Sequence, residues 1–187
     1  STATPLEVAD DPCVVLLSST GLLARTAVDE SPRTEGARSR HDVVTSTVRT
    51  TARGEVGLVT SAGRVLRLPV LELPALPPTA GAPSLKGGAP LKEFLALVKG
   101  EVALALTSLD PASQGLALGT ERGVVKRVAV DVPANRAEWD VIRLDDGDRV
   151  VGAVDLITGM EDLVFVTSDA QLLRFPAGGV RAQGRPA

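Results

Sequence analysis

Gly57-Leu58-Val59-Thr60-Ser61-Ala62-Gly63-Arg64-Val65-Leu66-Arg67-Leu68 is the stretch from which the fold can be read. Two runs of Leu and Val flank a short polar segment, and Gly63 supplies the positive φ that a tight turn between strands needs. The stretch predicts a β-hairpin. The same pattern recurs along the chain: an apolar run, Ser or Thr, two residues, Gly, three residues, then a basic residue. The copies are Val14–Arg25, Gly57–Leu68, Leu116–Val128 and Leu163–Phe175, the last with Ala170 at the Gly place. The basic residue follows four positions after the turn residue each time, as Arg25, Arg67, Arg127 and Arg174. The turn residues stand 42, 60 and 47 positions apart. A period of about 40–50 residues built on hairpins matches a four-stranded blade, whereas helical repeats of that length need long periodic helices. Thirteen Pro and eighteen Gly interrupt the chain too often for those, and the one helix-compatible stretch is around Leu91 to Val98.

Further strands are expected at Asp42–Val48, Val102–Ser108, Asp140–Leu144 and Arg149–Leu156. The last two are joined by the turn Asp145-Asp146-Gly147-Asp148; a calcium loop starting at Asp145 would need Glu at its twelfth place, which is Leu156. The Pro/Gly-rich segment 74–90 predicts an exposed connection between blades, because proline cannot serve a central strand. One all-β domain over 1–187 is expected, built propeller-like from four-stranded antiparallel blades. About four blades are visible, near 12–53, 54–100, 101–147 and 148–187.

Composition narrows the function. The 187 residues include 44% apolar and 23% charged residues, an ordinary globular balance. One Cys and one His exclude a disulfide framework and every His/Cys zinc site. The absence of Tyr excludes a tyrosine nucleophile on this chain. No phosphate loop, GxGxxG or HExxH is present. His41, the only imidazole, sits among Arg, Ser and Thr, where a solvated or phosphate-facing place is expected. Cys13 lies in an apolar strand as a small hydrophobe, and Trp139 is expected to anchor a blade edge. The chain reads as non-catalytic, without cofactor or metal.

Charge points to a polyanion. The net charge is −3, yet the basic residues are sixteen Arg against four Lys, and residues 33–53 carry five Arg against Glu35 and Asp42. Arg presents a flat, permanently charged fork suited to phosphate. Repeat arginines at equivalent blade positions could track a phosphate backbone without reading its sequence; strand-end arginines also serve as solvated guards of sheet edges.

The hairpins resemble a known family. Leu58-Val59-Thr60-Ser61-Ala62-Gly63-Arg64-Val65-Leu66-Arg67-Leu68 with Leu71-Glu72-Leu73-Pro74 is similar to the “T-x-x-G-R-V-Y-R-L…E-L-P” repeat of the C-terminal domain of the DNA gyrase A subunit. Gly119–Arg127 resembles its “A-T-x-x-G-x-V-K-R”, and Leu144–Gly152 its “L-x-x-G-D-x-L-V-G”. Phe165-Val166-Thr167-Ser168, Arg174-Phe175-Pro176, Val180-Arg181 and Gly184-Arg185 resemble its “T-S…R-F-P…V-R-x-x-G-R”. The resemblance spans about residues 12–187.

It implies a β-pinwheel that binds, bends or wraps double-stranded DNA for the ATP-dependent strand passage of a bacterial type II topoisomerase. The implied partners are the breakage-reunion core of the same polypeptide and the separate ATPase chain of the holoenzyme, its B subunit; ATP and Mg2+ act on those parts, not on this chain. A cytoplasmic, nucleoid-associated location follows, with no membrane. Carried over residue by residue, the DNA-contact candidates are Arg25, Arg64, Arg67, Lys126, Arg127, Arg174, Arg181 and Arg185. Arg33, Arg38 and Arg40 join them, from Pro32-Arg33-Thr34-Glu35-Gly36-Ala37-Arg38-Ser39-Arg40, at the place of the family's “Q-R-R-G-G-R-G” box. Only fragments of that box remain, so a topoisomerase IV-like or divergent member that relaxes or decatenates is implied beside a wrapping gyrase. A propeller-like scaffold for protein contacts without DNA is the other expectation.

Overall fold

A computed structural model describes residues 7–27, 43–77, 84–166 and 170–186. Four hairpins of the repeat form its frame: β1 (Pro12–Ser18) with β2 (Leu22–Ala27), β4 (Glu55–Thr60) with β5 (Arg64–Pro69), β8 (Leu116–Thr120) with β9 (Val125–Val128), and β12 (Asp162–Val166) with β13 (Leu172–Pro176). The turns form as the pattern predicts. Gly21, Gly63 and Gly123 donate their N–H to the carbonyls of Ser18, Thr60 and Thr120, three residues back, at φ of 77–88°. The hydroxyls of Ser18 and Thr120 also accept from the N–H of Leu22 and Val124. Ala170 holds the same left-handed φ, 62°, without glycine's freedom.

Three hairpins grow into four-stranded sheets by taking strands from elsewhere in the chain. β3 (Val44–Thr51) and β6 (Ala89–Pro90) flank the first, in the order β3-β1-β2-β6. The second has the order β10-β5-β4-β7, with β7 (Ala103–Ser108) and β10 (Glu138–Asp140), and the third β11-β8-β9-β14, with β11 (Val150–Asp155) and β14 (Ala182–Gln183). All these strand pairings are antiparallel except β14 on β9. The rule is regular. The strand beside the first hairpin strand (β3, β7, β11) comes from the stretch after that hairpin, and the strand beside the second (β6, β10, β14) comes from beyond the following hairpin. Each sheet is thereby stitched to the next.

The core lies between successive sheets. Val15, Leu17 and Leu23 meet Val56, Leu58 and Leu106 between the first and second. Val59 and Val65 meet Leu116, Leu118 and Trp139 between the second and third, and Ala117 meets Leu163, Phe165 and Phe175 between the third and fourth. β1, β4 and β8 are covered on both faces, which is why their sequences run continuously apolar rather than alternating. Phe165 stands on two glycines: a Cβ at Gly119 or Gly152 would come within 2.4 or 2.0 Å of its ring. Asp155 reaches across from the third sheet to the second, accepting from the Thr107 hydroxyl and the Ser108 N–H, both at 2.9 Å.

Two local expectations change. The described parts of segment 74–90, residues 74–77 and 84–90, are a strap as well as a connection: Leu76 and Leu85 are buried on Val14 and Leu16 of the first sheet's outer face, and Leu73 just before them is buried too. Its prolines hid an apolar face that needed covering. Asp140–Leu144 is no strand beyond Asp140, because Val141 and Ile142 turn down into the core while Val141 N–H is taken by Gly63 O. Leu91–Val98 holds a single 3-10 turn, Leu91–Glu93.

Candidate nucleic-acid interface

The repeat arginines occupy equivalent places, and three of them share a task. Arg25 donates its main-chain N–H to Pro74 O and Nε to Leu73 O (3.2 Å). Arg67 donates its N–H to Ala137 O, Nε to Arg136 O (2.9 Å) and Nη2 to Pro133 O (2.8 Å). Its Nη1 pairs with Glu55, and the guanidinium lies 5.3 Å from the Trp139 ring centroid. Arg127 donates Nη1 to Gly159 O and Ala177 O and Nη2 to Gln114 O, while its Nε is buried without a partner. Loop segments crossing a sheet edge leave carbonyls that lack ladder partners, and a planar fork with five donors can satisfy several at once. Arg25, Arg67 and Arg127 are therefore locks on the crossing segments.

The fourth repeat differs. Arg174 donates to Asp162 on its own hairpin (Nε–Oδ2 3.1 Å), and its side chain is 73% exposed. That pair holds the Asp162 carboxyl below its ordinary value.

Arg64 is largely buried beside Glu101, whose side chain is 1% exposed. Glu101 accepts from Arg64 Nε and Nη2, from the Thr60 hydroxyl and from Val98 N–H, and Glu138 pairs with Arg64 from the other side. Hydrogen bonds from Arg64 hold the Glu101 carboxyl down at about 2.

Lys126, Arg143 and Arg185 line one open groove with Val124, Val125, Ile142, Gln183, Gly184 and Pro186, and no carboxylate is among these residues. Lys126 Nζ donates to Val141 O, and burial lowers its pKa. Arg185 pairs with Asp131 at 3.0 Å. Arg181 and Arg49 are exposed on the surface. Arg33, Arg38, Arg40 and His41 lie outside the described residues. The eight described candidates thus divide: Lys126 and Arg185 meet in the groove, Arg25, Arg67 and Arg127 serve the straps, Arg64 serves a buried ion pair, and Arg174 and Arg181 face solvent. Arg143 escaped the sequence because it belongs to no repeat position; only the groove brings it beside Lys126.

Trp139 sits on β10 opposite Val65, 6% exposed, as an edge anchor, and Cys13 is a buried member of the first core layer. Among the described residues no group of three or more His, Cys, Asp or Glu could hold a metal ion, and no helix is long and apolar enough to cross a membrane.

Sheets stacked face to face and stitched by exchanged strands define an all-β domain of the β-pinwheel, propeller-like class. A family model described as DNA gyrase C-terminal domain, beta-propeller, matches residues 55–80 and 161–187. The DNA gyrase A subunit of Staphylococcus aureus is 32% identical over 151 residues, 78% of this chain and 16% of that protein. The crystal structure of the C-terminal domain of DNA topoisomerase IV superimposes with a TM-score of 0.68 at 23% identity, over 96% of this chain and 56% of that one. The E. coli ParC C-terminal domain does so at 0.54 and 18%, over 93% and 69%. The chain is a relative of the C-terminal domain of the DNA gyrase A subunit, and it spans about one sixth of the length of the curated relatives it matches.

Proposed function

We propose that this chain is a DNA-binding domain from the A subunit of a bacterial type II topoisomerase, holding and bending the duplex that the catalytic parts pass through a break. The observation that carries this is the kinship in sequence and fold with the C-terminal domain of the DNA gyrase A subunit. Its partners in that role are double-stranded DNA, the breakage-reunion core of the same polypeptide and the separate ATPase chain, and the location is cytoplasmic, at the nucleoid.

The contacts proposed are the groove cations Lys126, Arg143 and Arg185, exposed Arg181, and Arg33, Arg38 and Arg40 of the basic stretch. Phosphates would enter a groove lined by Lys126, Arg143 and Arg185, where Arg185 would have to give up Asp131. Such contacts position a duplex without reading bases. With the box at 32–40 reduced to fragments, bending for relaxation or decatenation is favoured over full wrapping.

A second reading has its own observation. Arg25, Arg67 and Arg127 spend their donors on main-chain carbonyls, and the net charge is −3, which suits a scaffold for protein contacts without DNA.

Duplex binding at low and moderate salt, by the chain and by a Lys126→Ala, Arg143→Ala, Arg181→Ala variant, separates the two. The DNA reading expects affinity that falls steeply with salt, with a slope reduced by about one for each cation removed from a phosphate. Absence of binding at low salt by the folded chain would establish the scaffold.

A further inference from the structure

We infer that Ile157 and Met160, on the corner between β11 and β12, form an apolar wedge that enters a base step of a bound duplex. The inference rests on the DNA reading above and adds to it the contact that kinks the helix. Among the described residues these are the two most exposed large apolar side chains, at 84% and 77%.

The corner that carries them is fixed. The Glu161 carboxylate accepts from Ile157 N–H (3.0 Å), from Thr158 N–H and from the Thr158 hydroxyl (2.9 Å), and that hydroxyl accepts from Met160 N–H (3.1 Å). Arg127 Nη1, from the third sheet, donates to Gly159 O, and Ala177 N–H donates to Glu161 O. Gly159 holds a φ of 77°, and a Cβ there would come within 2.7 Å of Arg127 Nη2, so the chain bends tightly over the guanidinium. Met160 lies along Gly178, where an added Cβ would stand 2.9 Å from its Sδ. Two apolar tips are thus presented on a backbone that loses little freedom when they are buried.

The preceding repeat shows what this position holds elsewhere. Ser108 pairs with Val56, and Asp155 with Leu116, at matching places of their sheets. Asp110-Pro111-Ala112-Ser113 is therefore the counterpart of Ile157-Thr158-Gly159-Met160. That repeat has neighbours on both sides, yet Asp110, Pro111 and Ala112 are exposed. The position is outer surface of the domain and not a seam between sheets. Asp110 and Ser113 close their own turn, Asp110 Oδ1 accepting from Ala112 N–H and Ser113 Oγ from Gly115 N–H. In the later corner Glu161 takes over that work, which leaves positions 157 and 160 for apolar side chains.

The surroundings select the partner. A stable protein interface buries about 1,200–2,000 Å², far more than one pair on a corner offers. A base step takes one or two apolar side chains, and Ile and Met are among those that part stacked bases from the minor groove and kink the duplex by about 20–90°. Gly178 and Gly179 beside Met160 leave room for close approach of a sugar–phosphate strand. The two adjoining acids are already committed, Glu161 to the turn and Asp162 to Arg174. Arg181, exposed two residues beyond Gly179, supplies a cation for a neighbouring phosphate.

The test compares binding of the 187-residue chain to a matched duplex and to the same duplex with one central T·T mismatch, a step that costs less to unstack. The mismatched duplex is expected to bind about tenfold tighter at a given salt concentration. Ile157→Ser with Met160→Ser should cut that preference to about twofold or less, while affinity falls with salt as in the parent because no charge is removed. Ile157→Leu with Met160→Leu, which stays apolar, should keep the preference within about twofold of the parent. Preference retained by the Ser variant, with an unfolding transition matching the parent, overturns the wedge, leaves the DNA reading in place and gives the pair to a protein contact. Salt-dependent binding of the parent without preference for the mismatch also overturns the wedge alone. Absence of binding to either duplex at low salt overturns the wedge and the DNA reading together.

Discussion

Arg67→Ala discriminates most sharply between a rim cation and a lock. The substitution removes two hydrogen bonds from a charged donor, to Arg136 O and Pro133 O, and the stacking over Trp139. Hydrogen bonds to charged groups contribute about 1.5–3 kcal/mol each, less where water can replace them. The side chain is 20% exposed, so partial replacement is expected. The cation–π contact adds about 0.5–1 kcal/mol, and the pair with the more exposed Glu55 adds little. The sum is a destabilisation of about 3 kcal/mol. For a chain of this size that lowers Tm by about 6–12 °C. Urea or thermal unfolding followed by circular dichroism measures it, and Arg67→Lys, which keeps the charge but lacks the fork, should lose nearly as much. A Tm unchanged within about 1 °C, accompanied by weaker duplex binding and a salt slope smaller by about one, would refute the lock and restore Arg67 to a phosphate-facing rim.

Glu101→Gln should destabilise the chain by about 2–3 kcal/mol at neutral pH, because the carboxyl held at about 2 lies well below its ordinary value of 4.5. Being depressed in the folded state, this contribution is complete above pH 4.5 and fades as pH falls toward 2. Denaturation of both chains should therefore converge on acidification, and a gap that persists at about pH 2 contradicts the assignment. Gly152→Ala should cost about 2–4 kcal/mol, since its Cβ would enter the Phe165 ring, with a Phe165→Leu background recovering part of the loss; equal effects in both backgrounds would reject the close contact. Ala170→Gly should stabilise by about 1 kcal/mol, because φ of 62° suits glycine, and a lower urea midpoint would count against that backbone. Leu58→Ala, fully buried between the first two sheets, should cost about 2–5 kcal/mol by the same assay.

Much of this was legible from Gly21, Gly63, Gly123 and the residues around them. A hairpin is a local object: apolar runs on either side of a residue that tolerates positive φ specify it wherever the rest of the chain lies. Four copies at similar spacing then fix the class of fold, and the continuous apolar runs of β1, β4 and β8 already imply strands covered on both faces. The same regularity placed Arg25, Arg67, Arg127 and Arg174 at one structural position.

What those arginines touch was decided only in three dimensions. Leu73, Pro133 and Ala177 offer carbonyls to guanidiniums 48, 66 and 50 residues away, and Glu101 reaches Arg64 across 37. No local pattern encodes such distances, because an unpaired carbonyl arises from how a crossing segment leaves a sheet edge. Charge counting therefore found an excess of arginine but not which arginines were already committed. Why Gly119 and Gly152 must lack a side chain shows only where Phe165 stands on them, and Lys126, Arg143 and Arg185 became one groove only when β9, the segment after β10 and the tail after β14 came together. Periodicity and turn chemistry are properties of neighbours along the chain. Pairing, burial and the availability of a charge belong to neighbours in space, and strand exchange between sheets sets the two apart.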